Sequence, residues 1–170
     1  MAMVPTVATL RTAIADAVKL AMNSGAPLTV TTVHTRRRFW RDYDKFVSLF
    51  IRDDVGGDIP ADHINGWMIT RKRAVEVEAE ERWRFHRLHT FTLYGYCGLQ
   101  DETVTEETFI DQIERIADNL RLNLSVFGNT ERVVPVCNHD LLETYDLGDA
   151  RCWYAELSLT TEATEVKTLA

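Results

Sequence analysis

Five histidines and three cysteines are the residues of this chain best suited to hold a metal or move a proton, and their spacing argues against both uses. His86 and His89 are three apart in a stretch that reads as strand, where alternating side chains point to opposite faces and cannot share one ion. His34 follows a β-rich stretch, His63 falls in a loop, and His139 precedes Asp140 with no third ligand at a recognised spacing. Cys97, Cys137 and Cys152 are odd in number and widely separated. That fits neither a disulfide framework nor a CxxC metal site, so they read as buried reduced thiols. The sequence contains no GxSxG, GxGxxG, Walker lysine loop or HExxH. Gly56-Gly57 stands among Asp residues that would repel a phosphate, and with twenty-six Asp and Glu in the chain an acidic pair says little about glycosidase or nuclease chemistry. No catalytic, cofactor-binding or metal-binding residue is assigned, and the chain reads as a non-enzyme.

Charge is the more informative chemistry. Nineteen Lys and Arg against twenty-six Asp and Glu give a net charge of −7, which disfavours general affinity for a phosphate backbone. The distribution is uneven: residues 1–87 carry fourteen basic and eleven acidic side chains, and residues 88–170 carry five and fifteen. The two halves either face each other within one fold or present opposite signs on different sides, an arrangement suited to head-to-tail association. Arg36, Arg37 and Arg38 form one basic cluster and Arg71, Lys72 and Arg73 another. The first is either a solvated basic turn or a partner surface, and the second is read as a contact surface. Between the two predicted long strands, Glu78, Glu80, Glu81, Arg82, Trp83, Arg84 and Phe85 mix charge with large aromatics, a composition too polar for a core and suited to a subunit contact.

The elements that must position these groups follow from hydrophobic periodicity. Val7, Leu10, Ile14, Val18 and Ala21 recur at helical spacing over residues 7–22, and Asn23-Ser24-Gly25 stops the run. Leu28–Val33 reads as a short strand. Phe39, Tyr43, Phe46 and Phe50 again follow helical spacing, so residues 36–51 read as one helix with four arginines at its start, the unfavourable end of the helix dipole for cations. After the turn-rich Asp53–Pro60 segment, Trp67, Ile69, Arg71, Arg73, Val75, Val77 and Ala79 alternate with polar positions as a long half-exposed strand. Phe85, His89, Phe91, Leu93 and Cys97 define a second. The pair reads as a long hairpin that projects from the domain, or as shorter strands separated by a bulge. Thr103 and Thr105 precede the helical run Phe109, Ile110, Ile113, Ile116, Ala117 and Leu120. Leu124–Phe127, Val133–Val136 and a last strand with Trp153, Ala155, Leu157 and Leu159 on one face follow. Trp67, Ile69, Phe109, Ile113, Ile116 and Leu120 are assigned to the core.

Together these elements predict an α+β fold: a mainly antiparallel sheet with a long projecting β-hairpin and helices packed on one face. No linker or repeat divides the chain, so residues 1–170 read as a single domain, with a core over about residues 6–160 and a polar tail over 161–170. No apolar run approaches the roughly 18 residues needed to cross a bilayer, and no signal-peptide pattern is visible, so no membrane partner is expected.

The order helix, strand, Arg-rich helix, Gly-Asp loop, long strand pair, helix and closing strands resembles the tail terminator and related neck or tail-completion proteins of tailed bacteriophages. The likeness is carried by Val33-His34-Thr35-Arg36-Arg37-Arg38 with Phe46 through Phe50, by Ile64-Asn65-Gly66-Trp67-Met68-Ile69, by His89–Gly95, and by Phe109–Leu122 with its Ile113-Glu114-Arg115-Ile116 centre. It covers residues 6–160. The resemblance implies a structural virion protein, assembled in the host cytoplasm, that forms a homo-hexameric ring at the head-proximal end of the tail tube. Such a ring stops tube polymerisation and joins the tail to the connector and stopper on the head, while DNA passes through its channel without specific binding. A head-completion or stopper protein is the nearest alternative within that group. Outside it stand a small intracellular enzyme and a soluble adaptor.

Overall fold

In a computed structural model of the protein, the described residues are 6–23, 32–50, 64–78, 84–98, 102–122, 132–134, 143–147 and 150–166. They form α1 (Val7–Asn23), β1 (Thr32–His34), α2 (Tyr43–Phe50), β2 (Asn65–Glu78), β3 (Arg84–Gly98), α3 (Glu102–Leu122), β4 (Arg132–Val134), β5 (Glu143–Leu147) and β6 (Ala150–Val166). The fold is α+β. One mixed sheet runs in the order β1-β2-β3-β6-β4, with β5 also paired to β6. β1 lies parallel to β2, and the pairs β2·β3, β3·β6, β4·β6 and β5·β6 are antiparallel.

The helices do not share one face. Along β2, β3 and β6 the side chains alternate, so Trp67, Ile69, Phe91, Leu93, Ala155, Leu157 and Leu159 face α1 and α3, while Met68, Tyr94, Tyr96 and Cys152 face α2. Because residues 91–98 are buried on both sides, a second helical layer is required, and Phe46, Val47 and Phe50 of α2 supply it. The core residues expected from periodicity, Trp67, Ile69, Phe109, Ile113, Ile116 and Leu120, are all buried, each large one contributing roughly 1.5–3 kcal/mol of transfer free energy. Small residues Ala17, Ala21 and Ala117 lie in the α1/α3 layer, where Asn119 Nδ2 donates to the carbonyl of Ala17 at 2.6 Å. Cys97 and Cys152 are buried thiols outside any disulfide. They sit in neighbouring register positions but on opposite faces.

Several boundaries differ from the sequence expectation. α2 starts at Tyr43 rather than near Arg36, because Asp42 caps it: Asp42 Oδ1 accepts from the Lys45 amide at 2.9 Å. The arginines therefore precede the helix, and the dipole conflict vanishes. α3 starts at Glu102, so Thr103 and Thr105 lie within it. In β2, Arg71 pairs with Phe91 and Arg73 with Thr90, leaving Lys72 as an extra residue. This bulge reverses the alternation, so Arg71 and Arg73 do not share a face as strict alternation required. β6 continues to Val166 instead of ending near residue 160. Residues 161–166 pair with Arg84–His89, and Thr161 is fully buried, so residues 161–166 are not a frayed tail. The expected strand at Leu124–Phe127 and the Asp53–Pro60 turn lie outside the described residues.

Candidate interaction surface

The loop between β1 and α2 is built around His34. Its Nε2 lies 2.6 Å from the carbonyl of Leu49, and Arg38 Nε donates to its Nδ1 at 3.4 Å. A ring whose Nδ1 accepts must carry its proton on Nε2, which then donates to Leu49. Trp40 anchors the other end of the loop by packing edge-on to Phe46, Phe50 and Tyr96 at 5.1–5.8 Å between centroids. Close approach of helix and strand is possible because position 66 is glycine: a Cβ there would stand 2.8 Å from Phe50 Cδ1 and 3.1 Å from its Cα. With both ends held, the loop displays Arg37, Arg38 and Phe39 outward. Phe39 is 76% exposed, with the Arg37 guanidinium 5.3 Å from its ring centre.

Beneath these side chains lies a hollow of about 290 Å³. Arg37, Arg38, Phe39 and Trp40 form its wall, and Met68, Tyr94, Tyr96 and Tyr154 its floor. Tyr154 stacks on Tyr94 at 6.3 Å and leans on Tyr96 at 5.3 Å, while Lys72 Nζ lies 5.3 Å over the Tyr94 ring. The Tyr154 hydroxyl donates to Glu156. Burial, then that hydrogen bond and the Glu156 charge, then the neighbouring tyrosines, push the phenol well above its ordinary range. On the far side of Phe39, a second hollow of about 540 Å³ is lined by both signs, Arg41 and Lys45 against Asp42 and Asp44.

A further group of cations gathers at the same edge of the sheet. Arg11 of α1 is held below the ordinary arginine range, first by burial and then by the charges of Arg71 and Arg36. Its Nε is buried without a hydrogen-bond partner. Among the described residues, none of Arg11, Arg36, Arg37, Arg71, Lys72 and Arg73 makes an ion pair. Cations from α1, β2 and the β1–α2 loop thus surround the β1/β2 edge, with no ion pair to a described carboxylate.

The structure brings together Arg36 with Arg71 around Arg11, and Arg37 and Arg38 with Lys72 around Tyr94. It does not bring Glu78, Arg84 and Phe85 to this surface: Glu78 pairs with Phe85, six positions beyond Lys72, or roughly 20 Å along the strand. Glu80, Glu81, Arg82 and Trp83 lie outside the described residues. Sequence reasoning missed Arg11, Trp40 and the three tyrosines. The tyrosines come from β3 and β6, far apart in sequence, so only the sheet register joins them. Among the described residues no three His, Cys, Asp or Glu side chains converge as a metal site, and no helix is long and apolar enough to cross a membrane. No protein-family model matches the chain, and no curated protein matches it.

Proposed function

We propose that the chain is a structural subunit of a tailed-bacteriophage particle, acting by self-association at the junction of tail and head as the tail terminators it resembles do. The observation that carries this reading is the β1/β2 edge, where an exposed Phe39 stands among cations that have no carboxylate partner among the described residues. An exposed aromatic flanked by uncompensated arginines is the composition of a protein-contact anchor, since aromatics and Arg dominate interface energetics. In this reading the subunits close into a sixfold ring on the tail tube, stop its growth, and offer the opposite face to the head connector and stopper. The arm is the outer part of the antiparallel pair β2·β3, lined by β6, and it projects toward a neighbouring subunit. DNA slides through the channel because acidic side chains drawn from the surplus of residues 88–170 line it and repel phosphate. The ring resides in the virion after assembly in the host cytoplasm and performs no turnover.

Negative-stain electron microscopy combined with mass photometry tests the proposal. Closed six-membered rings with a central hole wide enough for duplex DNA are expected at high protein concentration. A protein that forms neither rings nor a complex with tail tubes would refute it.

A further inference from the structure

One helix carries the complement of the basic surface. In α3, Glu107, Asp111, Glu114 and Asp118 are all exposed, and their spacing places them within an arc of about 60° at 100° per residue, along roughly 16 Å of helix. The buried side chains Phe109, Ile113, Ile116 and Leu120 occupy the opposite side. Among the described residues, Glu107, Asp111 and Glu114 form no ion pair, and exposed Arg115 borders the stripe without bonding to it. The same molecule therefore has a row of exposed carboxylates and, elsewhere, a tyrosine-floored hollow walled by Arg37 and Arg38, with Lys72 over the Tyr94 ring.

These two surfaces cannot meet within one molecule, because α3 packs on one face of the sheet and the hollow opens on the other. Neither can pair with its own copy. A twofold contact through the hollow would oppose arginine to arginine, and one through α3 would oppose carboxylate to carboxylate, each a costly juxtaposition. We infer that the acidic stripe of α3 docks on the arginine and tyrosine hollow of a second copy of this chain. The hollow is large enough to admit one or two carboxylate side chains, which the guanidinium forks of Arg37 and Arg38 bind with directional hydrogen bonds. Tyr94 and Tyr96 supply the apolar floor that excludes water beneath them. The contact is heterologous, so it repeats and either closes into a ring or extends as a filament. This inference rests on the self-association reading above and assigns its surfaces.

The test uses two full-length variants, each lacking one surface. Arg37→Glu with Arg38→Glu disables the hollow, and Glu107→Gln with Asp111→Asn and Glu114→Gln disables the stripe. The expected result is that each variant alone is monomeric while their mixture forms a 1:1 dimer and nothing larger, with affinity falling about tenfold or more as salt rises from 50 to 500 mM. Because Arg38 also bonds His34, Arg37→Glu with Lys72→Glu replaces the first variant if circular dichroism shows loss of fold. No dimer in the mixture overturns the inference. Rings of the unmodified protein without that dimer would keep the ring reading and remove this contact. The dimer without rings would keep the contact and remove the ring.

Discussion

Trp67 and Gly95 face each other across the β2·β3 pair, and the indole lies where a side chain at position 95 would begin: a Cβ there would stand 2.5 Å from Trp67 Cη2 and 2.6 Å from two further ring carbons. Ala155 continues the row on β6. Two successive small residues thus form the trough in which the fully buried indole rests against Phe109 of α3. Gly95→Ala forces the ring off this seat, and the expected cost is about 2–3 kcal/mol or more of unfolding free energy. Urea titration measures it. In the Trp67→Phe background the same substitution should cost markedly less, and an equal cost in both backgrounds would contradict the assignment.

Gln112 is 3% exposed, and neither atom of its amide has a hydrogen-bond partner; the same holds for Asn65. An unsatisfied buried amide costs about 1–3 kcal/mol. Gln112→Leu is therefore expected to raise the melting temperature by several degrees. Asn119→Ala, which removes a bond from α3 to the carbonyl of Ala17, should lower it. Calorimetry of the two variants decides whether polarity in this layer stabilises or destabilises.

Arg71 and Arg36 each repel Arg11. Arg71→Gln should raise stability at low ionic strength, and the gain should shrink as salt screens the cluster. A thermal-shift series over salt concentration reads this directly. A gain unaffected by salt would point away from charge.

Tyr154 provides a pH test. Its folded-state pKa lies above the unfolded value of 10.0, so the native state holds the proton longer than the unfolded chain does. The stability this contributes is complete below pH 10 and declines as pH rises above it. Tyr154→Phe should flatten the fall in stability between about pH 9.5 and 11.5 in denaturant titrations.

Truncation before Thr160 tests the last strand. It removes Thr161, which is buried, along with every pairing of β4 and the outer pairings of β3. The truncated protein should aggregate or show lost amide protection over residues 84–90, whereas an unstructured tail would be removed without effect.

The stripes Leu10/Ile14/Val18 and Phe109/Ile113/Ile116/Leu120, and the alternation of Trp153, Ala155, Leu157 and Leu159, were readable because each buries one continuous face. Phe39 shows where that logic fails. It falls in helical phase with Tyr43, Phe46 and Phe50, yet it is exposed, and the true boundary signal was the capping Asp42. The position of the bulge, at Lys72, was hidden because three consecutive cations, Arg71, Lys72 and Arg73, carry no hydrophobic contrast to mark a change of phase. The acidic stripe on α3 was visible as spacing, and its meaning required knowing that the arginine hollow opens on the other face. The two layers of helix, on opposite sides of the sheet, could have been inferred from Tyr94 and Tyr96, large aromatics in the supposedly exposed phase of β3.

β6 has an implication for synthesis. It lies between β3 on one edge and β4 and β5 on the other, yet it is the latest of these strands to leave the ribosome. Gly98 must wait 54 residues for Cys152 and Arg84 must wait 82 for Val166. During that interval α1, α2 and the β2·β3 pair can assemble while one rim of β3, with Phe91 and Leu93, has no neighbour. The nascent chain thus passes through a stage with a naked, sticky strand whose lifetime is set by elongation speed. Codon choice and chaperone supply over residues 99–166 should govern the yield of soluble protein more strongly than the same factors upstream.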